Sequence, residues 1–230
     1  MRLKNVVHRA AVAFPAGVDL GHDEWDKRHR WIAGLLTAHV PIIVAFAFIR
    51  GGGALHNFAE AVPVAALALI ASSQGLGIRT RAISAALGLM VASAILVHLS
   101  GGSTEMHFHF FVMLGVISLY QDWRPFLAAI AFVAAHHGIM GTLQPRDVFD
   151  HASAWNSPLT WALIHAFFVL AACGVSVVSW RIVEDGHRRS RAELEASEHR
   201  FRALIEHSTD VVTVVDAEGT IIYDSPSSVG

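Results

Sequence analysis

Long apolar runs separated by short polar stretches dominate the chain. Six of them approach the roughly 17–25 residues that a helix needs to cross a bilayer core, although the fourth is short: residues 31–49, 58–75, 82–99, 106–120, 125–142 and 159–181. The pattern predicts an all-α membrane protein, a six-transmembrane-helix bundle that occupies residues 31–181. Residues 1–30 are mixed and basic, and we expect a cytoplasmic segment that lies at the membrane surface.

The pattern changes after the sixth run. Residues 182–198 are charged and predict a signalling-helix connector, and residues 199–230 continue as a helix, a strand, a turn and a second strand. Four residues recur at seven-residue intervals: Trp180, His187, Leu194 and Phe201. This heptad is typical of a parallel two-stranded coiled coil, so we expect a homodimer through the 182–205 helix. The alternative is a solvated helix that only spaces two domains.

Composition narrows the class of protein. Hydrophobic residues make up 53% of the chain and charged residues 16%, which is typical of membrane proteins. The 17 Lys and Arg nearly balance the 19 Asp and Glu, so the overall charge indicates no nucleic acid partner. The single cysteine, Cys173, excludes an intrachain disulfide framework and is expected to be a small buried residue.

The distribution of basic residues predicts how the bundle is oriented. Fifteen of the 17 Lys and Arg lie in the N-terminal segment, the two connections on its side and the tail, whereas Arg50 and Arg146 lie in the opposite connections. Because cytoplasmic loops carry the excess of Lys and Arg, both termini are predicted to be cytoplasmic. The Gly101-Gly102 hinge is then on the outer side.

The 15 histidines are the unusual feature of the composition. Ionisable residues inside membrane spans are costly and are by default candidates for function. Seven histidines fall inside or at the rim of apolar runs: His39, His98, His107, His109, His136, His137 and His165. At a rise of about 1.5 Å per residue, five of them share the outer half of the bundle, His165 lies about 9 Å inside its span, and His39 is near mid-depth.

These depths predict a metal centre in the outer half. Neutral imidazole suits copper, zinc and iron, and Met106, Met113 and Met140 favour copper. The predicted metal ligands are His98, His107, His109, His136, His137 and Glu105. His165 and His39 are predicted cofactor-binding positions, with a packing role favoured for His39, and haem b is the alternative to a bare transition metal ion.

Helical geometry limits which histidines can converge. On a regular helix His107 and His109 point about 200° apart, so both face one site only if the Gly-Gly hinge leaves the helix start unwound. His136 and His137 point about 100° apart, so one could bind a metal while the other supports it or binds an adjacent ion.

Other functions compete with a metal-binding sensor. The histidines could form a hydrogen-bonded or proton-sensing network, a multi-His metalloenzyme for oxidation chemistry, or the path of a metal or proton transporter. Glu105 is the one carboxylate that accompanies the histidines, and the polar residues are concentrated on the outer side. We therefore predict no catalytic residues in this part and expect any output enzyme beyond residue 230.

The C-terminal stretch resembles the start of a PAS domain. The residues that carry the resemblance are the 201–208 helix, Asp210 before the first strand, and Asp216-Ala217-Glu218-Gly219 in the hairpin. It covers about the last 34 residues and stops after the first hairpin. This implies a truncated PAS start and a chain that is a fragment of a longer signalling protein.

The membrane part also resembles a known class. The matching motifs are Gly101-Gly102, Glu105, His107-Phe108-His109-Phe110-Phe111, the 120–125 turn and His136-His137-Gly138. They look like the N-terminal sensor region of bacterial signalling proteins that continue into PAS domains and a diguanylate cyclase, phosphodiesterase, histidine kinase or chemotaxis output. The resemblance implies an input module in the bacterial inner membrane, with a downstream PAS and output domain in the same chain.

Overall fold

A computed structural model of the chain describes residues 15, 17, 21–51, 53–206 and 213–224. They belong to two compact units, Met1–Trp180 and Arg181–Gly230. The helices and strands follow in this order: α1 (His22–Ile49), α2 (Ala54–Ser72), α3 (Ile78–Ser100), α4 (Thr104–Ser118), α5 (Trp123–Ala135), a π-helical turn (His136–Met140), α6 (Gly141–Leu143), α7 (Pro145–Val148), α8 (Ala152–Asn156), α9 (Pro158–Glu206), β1 (Thr213–Val215) and β2 (Ile221–Asp224).

Five helical stretches within the described part are long and apolar enough to cross a membrane: His22–Ile49, Ala54–Ser72, Ile78–Ser100, Trp123–Leu143 and Pro158–Ile205. The fourth predicted span corresponds to α4, which has 15 residues. At a rise of 1.5 Å per residue it is about 22 Å long, shorter than the roughly 30 Å of a bilayer core. A membrane protein of mostly helical structure is confirmed, and the count of six spans stays a prediction.

The first span begins earlier than its apolar pattern predicts. Helix α1 starts at His22, inside the segment 1–30 predicted to lie at the surface. Residues 1–14 of that segment lie outside the described residues. The polar first turn of α1 is therefore helical before the apolar run starts.

Helix α3 lies at the centre of the first unit and packs against α1, α2, α4 and α5. It is the most buried of the candidate spans. Small residues allow this close approach, since a Cβ on Gly88 would lie 2.6 Å from Cδ2 of Leu36. The central helix therefore combines small buried residues such as Ala85 and Gly88 with large ones such as Leu89 and Met90.

The Gly101-Gly102 hinge is a helix cap. Gly101 is left-handed (φ 75°) and its N–H donates to the carbonyl of His98, while the Gly102 N–H donates to that of Val97. This arrangement is the usual glycine ending of a helix. Helix α4 then begins at Thr104 as a regular helix, so no unwound segment precedes His107.

Hydrogen bonds around His29 join three parts of the first unit. The Tyr120 hydroxyl donates to His29 Nδ1 at 2.7 Å, and His29 Nε2–H donates to the Ala71 carbonyl at 2.9 Å. The imidazole stacks on Trp25, whose ring also lies 5.1 Å from the Arg81 guanidinium carbon. Both ring nitrogens of His29 are thus satisfied in the neutral form, and the bonds connect α1, the end of α2 and the turn after α4.

Trp180 holds α9 against α4 and α5. Its indole N–H donates to the Ser118 carbonyl at 2.7 Å, and its ring centroid lies 5.3 Å from Trp123 and 5.0 Å from Phe126. Trp180 is buried. The predicted burial of Cys173, two turns earlier on α9, is also confirmed.

In the second unit, β1 and β2 pair antiparallel, with Val214 opposite Tyr223. The Asp216 carboxylate accepts the backbone N–H groups of Glu218 and Thr220, and Gly219 has the positive φ (85°) that the turn requires. The predicted strand, turn and strand are present. Residues 207–212, which carry part of the PAS resemblance, lie outside the described residues, and the PAS assignment stays a prediction.

Candidate metal centre

Three histidines from three helices converge near the outer end of the predicted bundle. His107 comes from α4, His137 from the π-helical turn after α5, and His165 from α9. One ring nitrogen of each lies within 4.8 Å of the others. The ring centroids are 5.1 to 5.4 Å apart, and His107 and His137 are 3% and 4% exposed, whereas His165 is half-buried. We call these residues the His triad.

Backbone bonds fix the tautomer of every ring in the triad. Each Nδ1–H donates to the carbonyl four residues earlier in the chain, at these distances: His107 to Ser103, 2.9 Å; His137 to Val133, 3.0 Å; His165 to Trp161, 2.8 Å. Each neutral ring therefore keeps its Nε2 lone pair for a ligand, and such support of the other ring nitrogen is typical of metal-binding histidines. His107 Nε2 is buried and makes no hydrogen bond of ordinary geometry among the described residues, but the Val148 backbone lies close enough to interact with the ring.

The triad matches the dimensions of a transition metal site after a small contraction. A point equidistant from three atoms 4.8 Å apart lies about 2.8 Å from each, compared with about 2.0–2.1 Å for a metal–imidazole bond. An inward movement of about 0.7 Å per ring would give bonding distances, which side chains on three separate helices can accommodate by small torsional changes.

The π-helical turn separates the roles of the two adjacent histidines. It starts at His136, and π-turns of this kind are frequent at functional sites. His137 faces the triad, whereas the His136 ring is parallel to Phe132 and lies 5.6 Å from Phe110. His136 Nδ1 is also buried without a described hydrogen-bond partner.

The segment 144–157, which we call the cap, covers the triad. The Phe149 ring is stacked on His107, with an interplanar angle of 3° and a centroid distance of 6.2 Å, and lies 5.7 Å from His165. A Cβ on Gly102 would lie 2.7 Å from the backbone N and C of Phe149. The indole of Trp155 donates to the Phe149 carbonyl at 2.6 Å. The absence of a side chain at Gly102 therefore allows the backbone of the cap to pack closely beside the triad.

A second histidine pair lies on the opposite face of α4. His39 Nδ1–H donates to the Leu35 carbonyl at 2.7 Å, and His39 Nε2 faces His109 Nε2 at 3.1 Å. His109 Nδ1 lies 2.8 Å from the Ser93 hydroxyl. The Ser93 hydroxyl also lies 2.9 Å from the Leu89 carbonyl, so its one proton is donated either to Leu89 or to His109. When Ser93 donates to His109, the neutral His109 ring can donate to His39. The two α4 histidines thus point to different sites, as the 200° separation predicts.

The remaining predicted site residues lie apart from the triad. His98 is exposed at the end of α3, and no ring contact joins it to the triad within the described part of the chain. Glu105 is exposed and accepts a hydrogen bond from the Ser103 hydroxyl, which holds the pKa of that carboxyl below its usual range. The structure therefore brings together His107, His137 and His165 from the predicted set. Whether any of the predicted residues binds a metal stays a prediction.

His29 is a buried polar residue that the sequence pattern does not single out. The sequence places it in the polar segment before the first predicted span, but it is 1% exposed. Its partner Tyr120 is 91 residues away. A sequence signal was available in the helical spacing of Trp25, His29 and Ile32, which places them on one face of α1.

Comparisons with known proteins give one informative similarity. No family model and no solved structure matches the chain. Among curated proteins, it is similar to the transducer protein Htr8 of Halobacterium salinarum, with 31% identity over 202 residues that cover 83% of this chain and 31% of the relative. The chain thus spans about a third of the length of that relative.

Proposed function

We propose that the chain is the membrane-embedded input region of a signal-transducing receptor, in which the His triad binds a transition metal ion. The observation that carries the metal proposal is the convergence of three imidazoles whose Nδ1 atoms are all bonded to backbone carbonyls. With each Nδ1–H bonded to the backbone, the Nε2 lone pairs are the ones left for an ion between α4, α9 and the π-helical turn.

The similarity to a transducer protein supports the signalling role. The relative extends well beyond the matched region, which is compatible with output domains outside this chain. The resemblance of residues 199–230 to a PAS start fits the same arrangement. The proposal includes six spans in a bacterial inner membrane, with both termini on the cytoplasmic side. It also includes a homodimer that forms through the 182–205 helix.

Neutral imidazole suits copper, zinc and iron. Copper is the favoured metal because the sequence also offers the thioethers of Met106, Met113 and Met140, and zinc and iron are the alternatives. Haem b is less favoured. The described cavity that includes His137 has a volume of about 230 Å³, below the roughly 300–1,000 Å³ of pockets that hold drug-sized ligands. The rest of its lining is Gly138 and apolar residues of α5 and α9, without His107 or His165, so a haem in this cavity would meet one histidine of the triad instead of three.

Metal binding would act on the helices that carry the ligands. Contraction of the triad draws α4, α5 and α9 toward one another, and α9 is the helix that leads to the predicted connector. A ligand shifts a conformational equilibrium only by its difference in affinity for the two states. The signal is therefore the difference in triad geometry between the metal-bound and metal-free protein.

The test is metal content and affinity of the purified chain in detergent or nanodiscs. We expect about one copper per chain after loading and desalting, and loss of it in His107→Ala, His137→Ala and His165→Ala. His56→Ala is the matched control, because His56 is exposed and pairs with Glu60 on α2. Equal metal content in the triad variants and the control would refute the site, and a Soret band lost with the same variants would indicate haem instead.

A further inference from the structure

We infer that the His triad is selective for a monovalent, three-coordinate ion, and that it binds copper(I) in preference to copper(II) or zinc(II). This inference rests on the proposed metal-binding function. It goes further by assigning the charge and the coordination number of the ion.

The first observation is the charge of the ligand set. All three ligands are neutral imidazoles, and the groups behind them are the backbone carbonyls of Ser103, Val133 and Trp161. Metal-binding histidines donate their other ring N–H to a carboxylate, a backbone carbonyl or water, and of these only a carboxylate offsets part of the charge of a dication. Here the supporting atoms are uncharged, so the bound ion keeps its full charge.

The second observation is that the two acidic side chains near the start of α4 form hydrogen bonds with Ser103 and Thr104. Glu105 is exposed and accepts from the Ser103 hydroxyl. Asp150 is exposed and accepts from the backbone N–H and hydroxyl of Thr104, at 3.3 and 3.4 Å. Neither carboxylate belongs to the group of described residues that could hold the ion, and of the two only the charge of Asp150 acts on a triad histidine, His107, from outside the ligand set.

The third observation is burial. His107 and His137 are nearly inaccessible, and the ring of Phe149 is stacked against His107. The idealised cost of taking an ion from water into a low-dielectric site grows with the square of its charge. It is therefore about four times larger for a dication than for a monocation in the same triad.

Coordination preference points the same way. Zinc(II) sites with three protein ligands keep a fourth position for water or substrate. Phe149, held by the Gly102 contact and by the Trp155 bond to its carbonyl, fills the space over His107 with an apolar ring. Copper(I) is compatible with three ligands and needs no bound water.

The experiment compares ions on the same metal-free protein. Affinity for copper(I) is measured anaerobically against a copper(I) chelator, silver(I) serves as a redox-inert monovalent probe, and zinc(II) and copper(II) are measured against their own chelators. We expect copper(I) and silver(I) to bind at least about 100-fold more tightly than zinc(II). Copper(I) X-ray absorption should show three nitrogen neighbours.

A charge-changing variant tests the cause of the preference. His165→Glu adds one negative charge to the ligand set, and we expect the ratio of zinc(II) to copper(I) affinity to rise at least tenfold. His165→Gln, which is neutral and of the same length as Glu, should weaken all ions without that change of ratio.

The outcomes separate the two proposals. Zinc(II) or copper(II) binding as tightly as copper(I), with loss in the triad variants, would overturn the selectivity and leave the metal site standing. An unchanged affinity ratio in His165→Glu would overturn the charge argument. Failure of every ion to bind would overturn both proposals.

Discussion

Replacing Gly102 with alanine should open the cap over the His triad. Gly102 has φ 81°, in the left-handed region where a non-glycine residue costs about 1–2 kcal/mol. Its added Cβ would also lie 2.7 Å from backbone atoms of Phe149, which cannot rotate away as a flexible side chain could. Overpacking of this kind typically costs about 1–3 kcal/mol.

Gly101→Ala provides the matched control. Gly101 also has a positive φ (75°), but a Cβ there meets no described atom within 4 Å. Both variants therefore share the backbone cost, and only Gly102→Ala adds the contact with Phe149. The difference of about 1–3 kcal/mol corresponds to a factor of about 5 to 150 in the opening equilibrium of the cap.

Hydrogen–deuterium exchange of peptides from 144–157 measures this opening without any metal. We expect these peptides to exchange faster in Gly102→Ala than in Gly101→Ala by that factor, while peptides from α1 and α2 exchange alike in the two variants. Equal exchange of the cap in both variants would show that the close approach of Gly102 to Phe149 does not hold the segment.

Further predictions concern the polar contacts and the proposed site. Tyr120→Phe should destabilise the protein by about 1–3 kcal/mol in thermal or denaturant unfolding, because the buried His29 Nδ1 loses its donor, whereas Tyr223→Phe on the exposed hairpin should change little. Trp180→Phe removes the bond to the Ser118 carbonyl and should cost about 0.5–1.5 kcal/mol, compared with no measurable loss for Trp31→Phe, whose side chain is 82% exposed. Glu105→Gln should leave metal affinity within about twofold of the parent, since the carboxylate is exposed and bonded to Ser103; a tenfold loss would make Glu105 a ligand.

Much of the fold follows from the sequence because a long apolar run in a bilayer satisfies all its backbone hydrogen bonds within the segment when it is a helix. The helices α1 to α5 and α9 all overlap predicted runs, and the hairpin after α9 is where the strand pattern places it. The boundaries differ where polar residues extend a helix, as at His22, because hydropathy does not report a helix that continues beyond the apolar run.

The composition of the candidate site could be predicted only in part. The divergence of His107 and His109 follows from helical periodicity once α4 is regular. The choice of His137 and His165 as partners of His107 depends on the π-helical turn and on how α9 is rotated against α4, and neither leaves a clear sequence signal. The cap depends on a contact between Gly102 and Phe149, which are far apart in the chain.

The shortness of α4 has a consequence for the lipid around the protein. A hydrophobic segment shorter than the bilayer is accommodated by local thinning of the membrane or by partners that shield its ends. His107 is the fourth residue of this 15-residue helix, so the triad lies where a thinned leaflet brings the aqueous phase close. If α4 spans the membrane as proposed, an ion reaches the proposed site without a pore, and the rate of metal exchange should be lower in lipids of longer acyl chains.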